Sequence, residues 1–147
     1  MLLGPNAFDG IRPLAVLVAA ISAMVVGFIW YSPFLFARSW TRLMGYDPDD
    51  KAKLADMQKG AGKMYGMSFL ASIVSAIVLA KIIDLTSVVT VLYGMKVGFF
   101  IWLGFVAAVQ LTGALFGRQP TKLFLINTGY QLVCYLVMGA ILAVWPH

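Results

Sequence analysis

Apolar residues run along this chain in four long blocks, separated by short polar stretches that carry most of the charge. The first block runs from about Pro13 to Phe36, between Arg12 and Arg38. The second runs from about Met64 to Ile83, between Lys63 and Asp84. The third, about Val88 to Phe116, is interrupted by one charge, Lys96, and the fourth runs from about Leu123 to Trp145 after Lys122. None alternates polar with apolar residues as a membrane barrel strand does, so the blocks predict helices. At about 1.5 Å per residue each can cross a hydrocarbon layer about 30 Å thick, the long third one by tilting. The first block exceeds the roughly 7–15 residues of a signal-peptide core and follows no basic cluster, so it reads as a retained helix. The expected fold is all-α, a four-helix integral membrane bundle forming a single domain over residues 1–147.

Between the first two blocks lies the one sizeable polar segment, Ala37 to Lys63. Asp47 is placed to cap a short connector helix, with Pro48 at its first position, Asp49 and Asp50 complementing the dipole, and Gly60 just past its end. Ahead of it, Trp40, Leu43 and Met44 form an apolar stripe between Arg38 and Arg42, a pattern that suits a helix lying in the membrane interface. Two readings of the segment stand: a connector packed on the bundle, or a docking site for a partner.

Charge then fixes the expected orientation. The loop between blocks one and two and the loop between three and four hold Arg38, Arg42, Lys51, Lys53, Lys59, Lys63, Arg118 and Lys122, whereas the other side holds Arg12 and Lys81. By the positive-inside rule both loops face the cytoplasm, the connector is cytoplasmic and both termini face outward. The formal charge of +5 is therefore mostly a topology signal. The basic loop can also meet anionic headgroups, and nucleic acid is a poor explanation for it.

Composition removes whole classes of function. With 61% hydrophobic and 12% charged residues and a mean hydropathy of +0.88, the chain has too little polar surface to cover a soluble globule. All six acids are Asp, none lies within a block, and His147 is the single His. No paired-acid site, zinc site or bis-histidine haem site can be assembled from these, and no cofactor is expected. Cys134, mid-block and without an activating neighbour, reads as inert core. An enzyme is not expected; a lipid-modifying activity is the remote exception.

Polar residues inside the blocks need a reason, because each costs free energy in hydrocarbon. Asn127, Tyr130, Gln131 and Cys134 share one helix face, and Ser68, Ser72 and Ser75 share another. Lys96 and Gln110, fourteen residues apart, fall about 40° from each other on a regular helix and so on one face at two depths. Pro33, in Trp30-Tyr31-Ser32-Pro33, is placed to kink or end the first helix. Tyr31, Ser68, Gln110 and Asn127 each lie about 8–12 Å from the basic boundary, which predicts a polar cluster fed by all four helices. Lys96 belongs to the other half. Two meanings remain open: helix packing, in which Gly94 and Gly98 act as a small-residue pair, or a binding or conduction site of Tyr31, Ser68, Lys96, Gln110, Asn127, Tyr130 and Gln131. Lys96 itself either snorkels outward or faces a hydrated cavity or a neighbouring protomer.

The run Ile29-Trp30-Tyr31-Ser32-Pro33-Phe34-Leu35-Phe36, with Trp40 and Met44-Gly45 after it, resembles the opening of the domain-of-unknown-function 1761 family. The tail Lys122-Leu123-Phe124-Leu125-Ile126-Asn127-Thr128-Gly129-Tyr130, then Val137-Met138-Gly139-Ala140-Ile141-Leu142, resembles its close. The resemblance implies a small four-helix protein of the bacterial cytoplasmic (inner) membrane and implies no activity. It also carries an expectation of His in many relatives where this chain has Gln131. A hydrogen-bonding role survives that exchange; a titrating or metal-binding role does not.

These readings converge on a homo-oligomer in the lipid bilayer that binds or passes a small solute or ion between protomers, with Lys96 favouring anions. The rival expectation is an accessory or assembly subunit packed against a larger membrane complex.

Overall fold

In the computed structural model, which describes residues 6–146, the element order is α1 (Pro13–Trp30), α2 (Ala37–Leu43), α3 (Lys51–Met57), α4 (Ala61–Thr86), α5 (Val91–Ile101), a π-helical turn (Trp102–Ala107), α6 (Ala108–Phe116) and α7 (Thr121–Val144). The described residues form no strand. His147 lies outside the described residues. Helix α5, the π turn and α6 form one continuous span, Val91–Phe116, and with α1, α4 and α7 they make four helices long and apolar enough to cross a membrane.

Local chemistry sets most of the boundaries. Pro13 opens α1 at its first position, where its fixed φ suits a helix and its missing N–H goes unneeded. The helix stops at Trp30 rather than reaching Phe36, because Pro33 cannot donate to the ladder and disfavours helical geometry before it. The connector contains two short helices, and the cap of the second is Asp50, not Asp47. The Asp50 carboxylate accepts from Lys53 N at 3.2 Å, while Asp47 accepts from Asp49 N at 2.9 Å and closes the turn ahead of it. Gly60, at φ +78, breaks the chain between α3 and α4 in a conformation that other residues adopt at a cost. Thr90 caps α5 by accepting from Tyr93 N at 3.3 Å.

Helix α7 is the axis of the bundle, packed most extensively on α5 and then on α1 and α4. Into the core α1 contributes Ala15, Ala19, Ala20 and Ala23, and α4 contributes Ala76, Leu79 and Ile83. Leu79, Met138 and Cys134 are the largest fully buried side chains. Gly94 and Gly98 meet α7 backbone to backbone: a Cβ at Gly98 would collide with Tyr135 O, and one at Gly94 with Gly139 O. The small-residue pair therefore sets the α5–α7 distance. Outward, Leu17, Ile21, Val25 and Phe28 of α1, Leu70, Val74 and Val78 of α4, and Phe100, Phe105, Val109 and Leu115 of the third span are all exposed. So much contiguous apolar surface suits a chain solvated by lipid. This is a multi-pass membrane protein.

Candidate functional site

The end of α1 is fastened to the first half of α7 by two consecutive aromatic residues. Trp30 Nε1 donates to Ile126 O at 2.9 Å, and Tyr31 Oη donates to Asn127 Oδ1 at 2.7 Å. Gly129 makes room for the indole, since a Cβ there would lie 3.1 Å from Trp30 Cζ2. One turn further along α7, Tyr130 Oη donates to Ala23 O at 3.3 Å and Cys134 Sγ approaches the same carbonyl at 3.7 Å. The Tyr31 ring lies edge-on to Tyr130, with centroids 5.3 Å apart, and to Trp40 of α2 at 5.8 Å. The interfacial stripe of α2 is thereby tied into the same cluster.

A second fastening joins the third span to α7 through Thr128, which is 4% exposed. Trp102 Nε1 donates to Thr128 O at 3.0 Å, and Thr128 Oγ1 donates to Gln110 Oε1 at 3.1 Å. Trp102 opens the π turn and Gln110 sits just beyond it. A π turn holds one extra residue, which rotates the helix beyond it by about 100°. Lys96 and Gln110 consequently do not share a face. Gln110 is half-buried against α7, while Lys96 is exposed on the side of α5 away from Gly94 and Gly98. Its Nζ lies 4.9 Å from the ring centroid of Tyr93, one turn toward the start of α5. The stem therefore runs outward along the helix, as a snorkelling lysine's does.

Of the residues expected in the cluster, the structure brings Tyr31, Asn127 and Tyr130 together and places Gln110 beside them through Thr128. Gln131 is half-buried and takes no part in these bonds. Ser68 is not in the cluster: it is exposed, and Ser72 Oγ bonds back to Ser68 O at 2.9 Å within its own helix. Sequence reasoning placed neither Thr128 nor the indoles of Trp30 and Trp102 in the cluster. The available signal was the indole N–H, which must find an acceptor wherever a Trp is buried.

Chemically the cluster is neutral, built of amides, phenols, indoles and one thiol. Among the described residues no buried side-chain N or O atom lacks a hydrogen-bond partner, and no group of three or more His, Cys, Asp or Glu could hold a metal ion. A cavity of about 200 Å³ lies at the opposite end of the bundle, between Arg12, Asp84 and Trp145, and the cluster does not line it.

A family model described as a protein of unknown function, DUF1761, matches residues 14–143. The chain belongs to the DUF1761 family. That match spans α1 to the last turn of α7 and includes every residue of the cluster. No curated protein and no solved structure matches the chain. For this DUF1761 member the functional reading therefore rests on its own side chains.

Proposed function

We propose that this DUF1761 chain is a non-catalytic subunit of the bacterial cytoplasmic membrane, with its basic connector in the cytoplasm, that acts by packing against another membrane protein. One observation carries the reading: the polar groups within the spans hold the bundle together, while the third span, packed on α7 along one side, has few fully buried residues. Only 6% of its apolar window is buried, against 33% for α7. The exposed side of that span sets Phe105, Val109 and Phe116 beside Gly104 and Gly113, neither of which has an atom within 4 Å of where a Cβ would stand. Open glycines beside large apolar residues suit the close approach of an apolar helix carrying small residues of its own. The bond from Thr128 to Gln110 and the glycine contacts on α7 keep that face rigid.

The test is site-specific photocrosslinking in intact membranes. Crosslinks to one membrane protein from Phe105 and Val109, absent from Leu17 and Ile21 of α1, support the reading. Crosslinks to lipid alone from all four positions overturn it.

A second reading keeps the homo-oligomer that passes a small solute between copies. Lys96 favours it, because it faces outward, where only another chain could enclose it. Solute flux through reconstituted wild type, compared with Lys96→Ala and Gln131→Ala, separates the two: equal background flux in all three removes the second reading.

A further inference from the structure

Lys96 is the one charge within the third span, and no described residue neutralises it. It lies five residues into α5, about 8 Å from the start of the helix, and its side chain is exposed. Between Val91 and Phe116 the sequence has no Asp or Glu. At the same end of the bundle Asp84 is already engaged, 3.5 Å from Lys81 Nζ. Among the described residues Lys96 enters no ion pair. Its contact is the Tyr93 ring, with the centroid 4.9 Å from Nζ. A ring quadrupole attracts an ammonium but carries no net charge.

What lies beside that charge restricts what can cover it. Phe100 stands one turn further along the same face of α5, and Gly104, open to its surroundings, follows in the next turn; both are exposed. Lys96 and Gly104 are eight residues apart, about 12 Å along the axis. A second helix packed at Gly104 with the usual membrane crossing angle of about 20–40° is displaced by about 4–10 Å at the height of Lys96, no more than its own diameter. It therefore covers the ammonium. Once covered, Lys96 loses the water and headgroups that a snorkelling side chain reaches, lipid phosphate included. A charge buried without a partner opposes association, so the helix that takes this face has to bring an anion with it.

Resting on the reading of the third span as a docking face, we propose that the partner is a transmembrane helix of another protein with an Asp or Glu at the level of Lys96, and that this ammonium–carboxylate pair selects it. The test places a photocrosslinker at Phe105 of the full chain in intact membranes and identifies the crosslinked peptide by mass spectrometry. The same measurement is made in Lys96→Gln and Lys96→Arg. The crosslinked helix should carry a carboxylate. Its yield should fall about tenfold or more in Lys96→Gln and persist in Lys96→Arg, which keeps the charge. Exchanging the two charges, Lys96→Asp here and the carboxylate to Lys in the partner, should restore it. A membrane-protein crosslink that survives Lys96→Gln undiminished, or whose helix has no Asp or Glu, overturns the proposal and leaves the docking face standing. Crosslinks to lipid alone, or to a second copy of this chain, overturn the reading of the face and the proposal with it. Unfolding in detergent shows whether Lys96→Gln still folds; if it does not, the sequence of the crosslinked helix and the charge exchange decide.

Discussion

Tyr31 and Asn127 are joined by a 2.7 Å hydrogen bond although they stand 96 residues apart in the chain. The bond links the residue just beyond α1 to the second turn of α7, so it fixes the spacing of two helices that the sequence keeps far apart. In Tyr31→Phe the ring contacts to Tyr130 and Trp40 survive and the donor is lost. That variant should lose about 1 kcal/mol in reversible unfolding in detergent, the usual cost of leaving a half-buried acceptor unpaired. Paired with Asn127→Ala in a double-mutant cycle, it should show a coupling of about 0.6 kcal/mol, typical of such bonds between membrane helices. A coupling near zero would mean that lipid or water replaces the phenol.

Glycine substitutions should divide by location. Gly98→Ala pushes a methyl into Tyr135 O, and backbone cannot yield as a flexible side chain can. The α5–α7 pair must separate, at a cost of about 1–3 kcal/mol. Gly104→Ala meets open space and should change stability by no more than about 0.5 kcal/mol. It should, however, weaken any crosslink made from Phe105, because it fills the approach proposed for a partner. The same pair of variants, scored for both unfolding and crosslinking, separates packing inside the chain from packing outside it.

Lys96 is expected to be dispensable for the fold. Its stem runs outward past Tyr93, where the ammonium reaches polar surroundings without help from another helix. Lys96→Leu should therefore leave unfolding within about 0.5 kcal/mol of wild type. A loss of about 2 kcal/mol or more would show that the ammonium has a buried partner in the assembled protein, and would revive a site between protomers.

How far the sequence could be read depended on whether a feature was periodic. Uninterrupted apolar runs located the spans to within about three residues, except that α1 ends at Trp30, six residues before Phe36, where Pro33 offered a kink or an end. The face shared by Asn127 and Tyr130 was legible because α7 is a regular helix over that stretch. The cap falls on Asp50 instead of Asp47 because three nearby aspartates compete for one role and only tertiary placement chooses among them. Ser68 departs from expectation for another reason: depth along a helix says nothing about direction, and Ser68 is exposed. The π turn leaves no signature in Trp102 to Ala107, so a constant rotation per residue sets Lys96 and Gln110 on one face and fails there.

That π turn yields the sharpest test. Deleting Phe105, an exposed residue within it, removes the extra residue and lets the span relax to a regular α-helix in which α6 keeps its direction relative to α5. Gln110 then stays on Thr128. In the wild-type background Gln110→Leu should cost about 1 kcal/mol, since it strands the Thr128 hydroxyl, which is buried. In the Phe105 deletion the same substitution should cost as much, because the bond is kept. Trp102, bonded to Thr128 O at 3.0 Å on the near side of the deletion, should hold its position and keep its emission maximum. If Gln110→Leu costs almost nothing in the deletion, α6 has turned out of register, and the offset between α5 and α6 is set by lipid and neighbouring helices instead of by the extra residue.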